Sequence, residues 1–232
     1  MSKGIFVIGT GTDIGKTYVT GLILKKLQEA GVKAGYYKAA MSGNDRREDG
    51  TLIPGDALWV KNASGISQPL DEMCPYVYEH AYSPHLASRI EGNPVQLSVV
   101  IDHYKKLQEK YDFLTVEGSG GIMCPICFDE CKLGLVDVIN AMDLDCLLIA
   151  DAGLGTINNV VLTHEYMKNK GMTIKGIIYN NYIPGDVMHD DNIFMCEYMT
   201  GLKTLGKVTQ GQKDLDIAPE TLMSIYKEME HL

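Results

Sequence analysis

The feature that most restricts this chain is the segment Gly9-Thr10-Gly11-Thr12-Asp13-Ile14-Gly15-Lys16-Thr17, set between the apolar run Ile5 to Ile8 and a stretch of helical period. A glycine-rich turn that joins a strand to a helix wraps with its N–H groups inward, and the helix N-terminus adds partial positive charge. The product is a nest for a triphosphate, in which Lys16 reaches the β and γ phosphates and the Thr17 hydroxyl faces Mg2+. The spacing departs from the usual G-x4-G-K-[ST], because Gly9 stands six positions before Gly15 and Gly11 only four.

Around this loop, short β-branched runs alternate with longer segments of helical period, the mark of βα units about a parallel sheet. The expected fold is α/β: a P-loop NTPase-like, doubly wound, mainly parallel sheet flanked by helices, in one domain over 1–232. Strands are expected at 4–9, 33–40, 113–117, 146–150, 175–180 and 205–209, each short enough to be buried on both faces. Helices are expected at 17–30, where Val19, Leu22, Ile23 and Leu27 share a face ahead of Gly31, and near 97–109 and 158–169. A last helix starts near Pro219 and aligns Leu222, Ile225, Tyr226 and Met229. The segments 42–55 and 183–192 read as loops, the second through Pro184-Gly185 and its aspartates.

Composition narrows the partners. Thirty Asp and Glu outnumber 21 Lys and Arg for a formal charge of −9, which disfavours nucleic acid. No apolar run approaches the roughly 20 residues of a membrane span, and the N-terminal apolar stretch is too short for a signal peptide. A cytoplasmic protein is expected. Its six cysteines are then expected to be thiols. Cys124, Cys127 and Cys131 have a spacing compatible with a metal corner but lack a fourth ligand, and free thiols in a loop are the favoured reading.

Beyond the phosphate loop the chain resembles the dethiobiotin synthetases over nearly its whole length, to about residue 206. The loop is similar to their G-T-x-T-x-x-G-K-T, and Ala34-Gly35-Tyr36-Tyr37-Lys38 with Met41-Ser42-Gly43 resembles their second strand. Gly55-Asp56-Ala57, Val116-Glu117-Gly118-Ser119-Gly120-Gly121, Ser83-Pro84-His85 and Gly153-Leu154-Gly155-Thr156-Ile157-Asn158-Asn159 match further family segments. The resemblance implies that Lys38, Lys16 and Thr12 act in catalysis, and that Thr12, Asp13, Ile14, Gly15, Lys16, Thr17 and Tyr18 hold ATP while Asn180 reads its adenine. It places Mg2+ on Thr17, Asp56 and Glu117, a chemically sufficient oxygen set. Read without the resemblance, Asp56 is equally a helix N-cap. Substrate contacts fall on Ser42, Gly118, Gly155, Thr156, Ile157, Asn158 and Tyr198, the helix N-terminus at 155–158 serving a substrate carboxylate across a homodimer interface. Ser83-Pro84-His85 is read as a structural turn. Thr209 stands where the family commonly has proline beside the adenine.

What the resemblance implies is ATP-dependent carboxylation of 7,8-diaminononanoate with CO2 or bicarbonate, followed by closure of a cyclic urea through a mixed anhydride. Two rivals share the core. A related amide-forming ligase such as cobyrinic acid diamide synthase carries an added glutaminase domain, for which this chain is too short. A nucleotide-switch ATPase of the partitioning or septum-positioning type carries a signature lysine five residues before Lys16, where this chain has Gly11.

Overall fold

The computed structural model describes residues 2–129 and 131–229. The first half runs β1 (Lys3–Gly9), α1 (Lys16–Glu29), β2 (Ala34–Lys38), β3 (Ala40–Met41), α2 (Gly55–Ser64), β4 (Tyr76–Val77), α3 (Pro84–Ile90), α4 (Leu97–Gln108) and β5 (Phe113–Glu117). The second runs β6 (Pro125–Phe128), β7 (Lys132–Gly134), α5 (Leu135–Met142), β8 (Cys146–Asp151), α6 (Thr156–Asn169), β9 (Ile174–Asn180), α7 (Val187–Thr200), β10 (Thr204–Lys207), α8 (Pro219–Ser224) and β11 (Lys227–Glu228).

The main sheet has the order β10-β9-β8-β1-β5-β2, with all these pairs parallel and β11 antiparallel against the start of β1. Because successive side chains of a strand point to opposite faces, β1 divides its apolar residues between two cores. Phe6 and Ile8 join Tyr37, Val116 and Leu148 on the face covered by α4, α5 and α6. Ile5 and Val7 join Tyr36, Leu147, Ile149 and the buried side of α1 on the other. The chain thus reverses its winding at β1, and the crevice beyond the carboxyl end of that strand is where ligands bind in such sheets. Among the described residues no helix is long and apolar enough to cross a membrane.

Five sequence expectations change. The strand expected over 33–40 ends at Lys38, and Ala40–Met41 leaves the sheet to pair with Tyr76–Val77. The strand expected over 205–209 ends at Lys207. The loop expected through 192 ends at Asp186, whose carboxylate caps α7 by accepting from the N–H groups of Met188 and His189. The last helix begins at Pro219 but stops at Ser224, so Met229 does not share its face. Leu222, Ile225 and Tyr226 pack on the α1 side, whereas Met229 belongs to the opposite core. The cause is a long-range contact: Gly4 leaves room that a Cβ would close at 2.7 Å from the Met229 sulfur, which also accepts from the Tyr104 hydroxyl at 2.7 Å. No continuous helix could carry side chains to both faces of the sheet. The cysteines are free thiols, and Cys127 lies on β6 in a hairpin rather than in a loop, its sulfur 2.6 Å from that of Cys131.

Candidate active site

The phosphate loop leaves β1 with the Thr10 N–H donating to the Ile149 carbonyl at 3.1 Å, and enters α1 through Gly15 at φ 88. Asp13 also has a left-handed backbone, φ 59, a strained conformation of the kind concentrated at functional loops. The glycines of the loop are not equivalent. A Cβ on Gly9 would stand 2.7 Å from the Lys16 stem and one on Gly15 2.1 Å from the Asn180 amide, whereas Gly11 faces open space. That explains the unusual spacing: the close approach needed at the loop entrance belongs to Gly9, and Gly11 is free of it. Lys16 folds back, donating from Nζ to the Gly11 carbonyl at 2.6 Å. Burial pulls its pKa down against the opposing pull of Glu117.

Parallel pairing of β2 with β5 sets Lys38 beside Glu117 and Tyr36 beside Thr115. Alternation along β2 therefore aims Tyr36 and Lys38 to the same face as Glu117. The Lys38 ammonium donates to Glu117 Oε1 at 2.8 Å and to Asp56 Oδ2 at 2.6 Å. The Thr17 hydroxyl donates to the same Glu117 oxygen at 2.8 Å, and the Tyr36 hydroxyl to its other oxygen, Oε2, at 3.1 Å. The Glu117 side chain has 0% of its surface exposed. A carboxylate so buried is tolerable because charge and hydrogen bonds surround it. Burial works against the Lys38 ammonium, yet Glu117 and Asp56 outweigh it and raise its pKa; burial first and then Glu117 hold the Tyr36 phenol well above its ordinary value.

Asp56 lies in the first turn of α2, after Pro54 and Gly55, so the N-cap reading gives way to a carboxylate turned toward Lys38. Buried Asn44 fixes that turn by accepting from the Gly55 N–H at 2.8 Å and donating to the Met41 and Tyr78 carbonyls. Thr12, Asp13, Gly15, Lys16, Thr17, Lys38, Ser42, Asp56 and Glu117 line one cavity of about 400 Å3. A second cavity of about 440 Å3 shares Thr12, Asp13, Lys38, Ser42 and Asp56 and is closed by Tyr82, Ser83, Pro84 and Cys124. The Ser-Pro-His element is thus more than a turn: Pro84 opens α3, and the element walls the space beside Lys38. An N-cap serine followed by proline at the first helical position was the signal for that helix.

The remaining expected residues lie elsewhere. Asn180 donates from Nδ2 to the Ile14 carbonyl at 3.0 Å, bracing the loop from β9. Ile14 packs with the α1-side core, Tyr18 bonds the Gln212 carbonyl and Gly118 faces Phe6 and Leu135. Gly155, at φ 91, opens α6, followed by Thr156, Ile157 and Asn158; none of these four lines either cavity. Tyr198, 77% exposed, stacks on Phe194 on the outer side of α7. Sequence reasoning missed Tyr36 as a partner of Glu117, since nothing local links residues 81 positions apart.

The donor set fits a hard divalent cation: a hydroxyl and two carboxylates are all oxygen, and the Lys38 ammonium already stands as a positive charge between Asp56 and Glu117. The sequence profile of the family described as AAA domain matches residues 3–215. The ATP-dependent dethiobiotin synthetase of Brachyspira hyodysenteriae is 49% identical over 217 residues, 93% of this chain and 96% of that protein. That of Clostridium perfringens is 45% identical over 97% of this chain and all of its own length. The chain belongs to the family of ATP-dependent dethiobiotin synthetases. Solved structures of lower identity share the fold alone. The septum site-determining protein MinD of Pyrococcus horikoshii, complexed with Mg-ADP, has a TM-score of 0.54 at 17% identity over 97% of this chain and 96% of that one. The MinC:MinD cell division complex of Aquifex aeolicus has a TM-score of 0.55 at 12% identity, covering 91% and 83%. A shared fold does not fix chemistry, which lies in the side chains of the site.

Proposed function

We propose that the chain is a cytoplasmic dethiobiotin synthetase that uses ATP and CO2 to close a cyclic urea on 7,8-diaminononanoate. The observation that carries the reading is the convergence of Lys16, Thr17, Lys38, Asp56 and Glu117 on one cavity that opens beside a second. One amine of the substrate adds to CO2 and loses a proton to give a carbamate. A carbamate oxygen attacks the γ-phosphorus and ADP leaves. The second amine then attacks the carbonyl carbon, expelling phosphate and a proton as the ring closes.

The protein's part is alignment and charge stabilisation. Loop N–H groups over residues 12–18, with Thr12 and Asp13 at the cavity wall, hold the phosphates, and Lys16 moves from the Gly11 carbonyl onto them. Lys38 serves the carbamate and the transferred phosphoryl group, and Ser42 and Gly118 the substrate side. Thr17, Asp56 and Glu117 would hold Mg2+, which would supply charge neutralisation at the phosphates. Asn180 meets the adenine with the part of its amide not committed to Ile14.

A homodimer belongs to this reading. Leu154 and Leu162, before and on α6, and Val187, Phe194 and Tyr198 on α7 are apolar side chains from 61% to 91% exposed, and the two helices pack side by side. A second copy seated there would present its residues 155–158 and Tyr198 to the substrate, since neither segment reaches the cavity of its own chain. The alternative, a nucleotide switch, draws on the shared fold with MinD but lacks a lysine at position 11. Phosphate release decides between them. The ligase needs the diamine and bicarbonate and yields a product heavier by one carbonyl unit; release that ignores the diamine but responds to DNA, membrane or a partner protein refutes it.

A further inference from the structure

Glu117 sends its two oxygens to different tasks. Oε1 faces the cavity and takes both Thr17 and Lys38, whereas Oε2 points inward, where the Tyr36 hydroxyl meets it at 3.1 Å. Tyr36 itself is held at both ends. Its ring is fully buried in the core beneath α1. Its main chain is clasped by Gln68, 1% exposed, whose Oε1 accepts from the Tyr36 N–H at 2.7 Å and whose Nε2 donates to the Tyr36 carbonyl at 2.9 Å.

We propose that Tyr36 is the positioning residue of the cation site: by holding Oε2 of Glu117 it fixes the carboxylate plane, keeps Oε1 turned to the cavity and thereby sets the affinity for a divalent cation. The inference rests on the reading of Thr17, Asp56 and Glu117 as ligands. A carboxylate turns about its last side-chain bond with little resistance, so the bond to the rear oxygen holds the front one in place when its own partners, Thr17 and Lys38, are drawn to a cation or a phosphate. Without the hydroxyl, Oε2 is a charged acceptor sealed from water and without a donor, which costs more than an ordinary lost hydrogen bond. The carboxylate then rotates toward the remaining donors, which weakens a hard cation that wants a fixed oxygen. If Tyr36 were only a core ring, Phe would replace it without effect at the cavity.

The test is Tyr36→Phe with Mn2+ as the probe, the free ion followed by its electron paramagnetic resonance signal as protein and ADP are titrated. Mn2+ should be held about 10- to 100-fold more weakly by the variant in the presence of ADP, as for other groups that orient a metal ligand. ADP affinity in excess chelator should be unchanged. Mn2+ retained equally by wild type and Tyr36→Phe overturns the role of Tyr36 while leaving the site reading intact. A wild-type protein that holds no more Mn2+ with ADP than ADP does alone overturns both. Should Tyr36→Phe fail to fold, Gln68→Ala gives the same decision: releasing the Tyr36 main chain should weaken Mn2+ several-fold, and an unchanged affinity refutes the proposal.

Discussion

Replacing Gly15 with alanine tests whether the phosphate loop is built on backbone conformation alone or also on contact. Gly15 has φ 88, and a Cβ there would fall 2.1 Å from Nδ2 of Asn180 and 3.1 Å from its Cγ. An L-residue in the left-handed region costs about 1–2 kcal/mol. Displacing Asn180 also breaks its bond to the Ile14 carbonyl, worth about 0.5–1.5 kcal/mol. The sum is about 1.5–3.5 kcal/mol, or a fall in melting temperature of about 3–14 °C for a domain of this size. Gly31→Ala is the control, since Gly31 has φ 77 but nothing within 4 Å of its Cβ position. It should show only the backbone cost, about 1–2 kcal/mol. Calorimetric titration with ATP should show Gly15→Ala weakened at least about tenfold and Gly31→Ala unchanged. In the double variant Gly15→Ala, Asn180→Ala the obstacle is gone, so the two costs should fall short of additivity by about 0.5 kcal/mol or more. Equal destabilisation by Gly15→Ala and Gly31→Ala, or strict additivity with Asn180→Ala, would refute the contact argument.

Lys38→Met leaves buried Glu117 without its cationic partner; unfolding in urea should show a loss of about 3 kcal/mol, in the range for breaking a buried ion pair. Millimolar Mg2+ should restore part of that loss, and ring closure should fall far more than nucleotide binding. Phe194→Glu combined with Tyr198→Glu places like charges on the exposed α7 face; under the proposed dimer, sedimentation should report two chains for the wild type and one for the variant. For Glu91, burial opposes ionisation but bonds from the His80 N–H and ring outweigh it and lower its pKa. Its stabilisation is therefore present above the ordinary carboxylate value and lost as pH falls through the lowered one. Glu91→Gln should be less stable than wild type near neutrality, and the two urea midpoints should converge on acidification.

The legible part of this fold is the part written in local pattern. Strand β5 falls where the apolar run ending at Glu117 places it, and the strand, loop and helix about Lys16 follow from glycine spacing and the period of α1. Lys38 and Glu117 meet because they end neighbouring parallel strands, and Asp56 joins them from the first turn of α2. The start of α7 escaped because its pattern misleads: Val187, Phe194 and Tyr198 face outward while His189 and Asn192 are buried, so polarity and burial run against each other. Asp186 after Pro184-Gly185 was the cap that could have revealed it. The end of α8 escaped for a different reason. Met229 is drawn to a sulfur-sized gap above Gly4 on the far side of the sheet, a contact between the two ends of the described chain that no window of neighbouring residues contains. Tyr36 and Gln68 are likewise joined only in space.

Strand β2 is an outer strand of the sheet, and outer strands invite uninvited company. Here the vacant side is already occupied: Gln68 engages both main-chain groups of Tyr36, and the Met73 carbonyl receives the Lys38 N–H at 2.9 Å. A foreign strand would have to evict a glutamine and a turn before gaining its first bond. The same plug holds the main chain at Lys38, so protection against misassembly and placement of its ammonium come from one short stretch of chain.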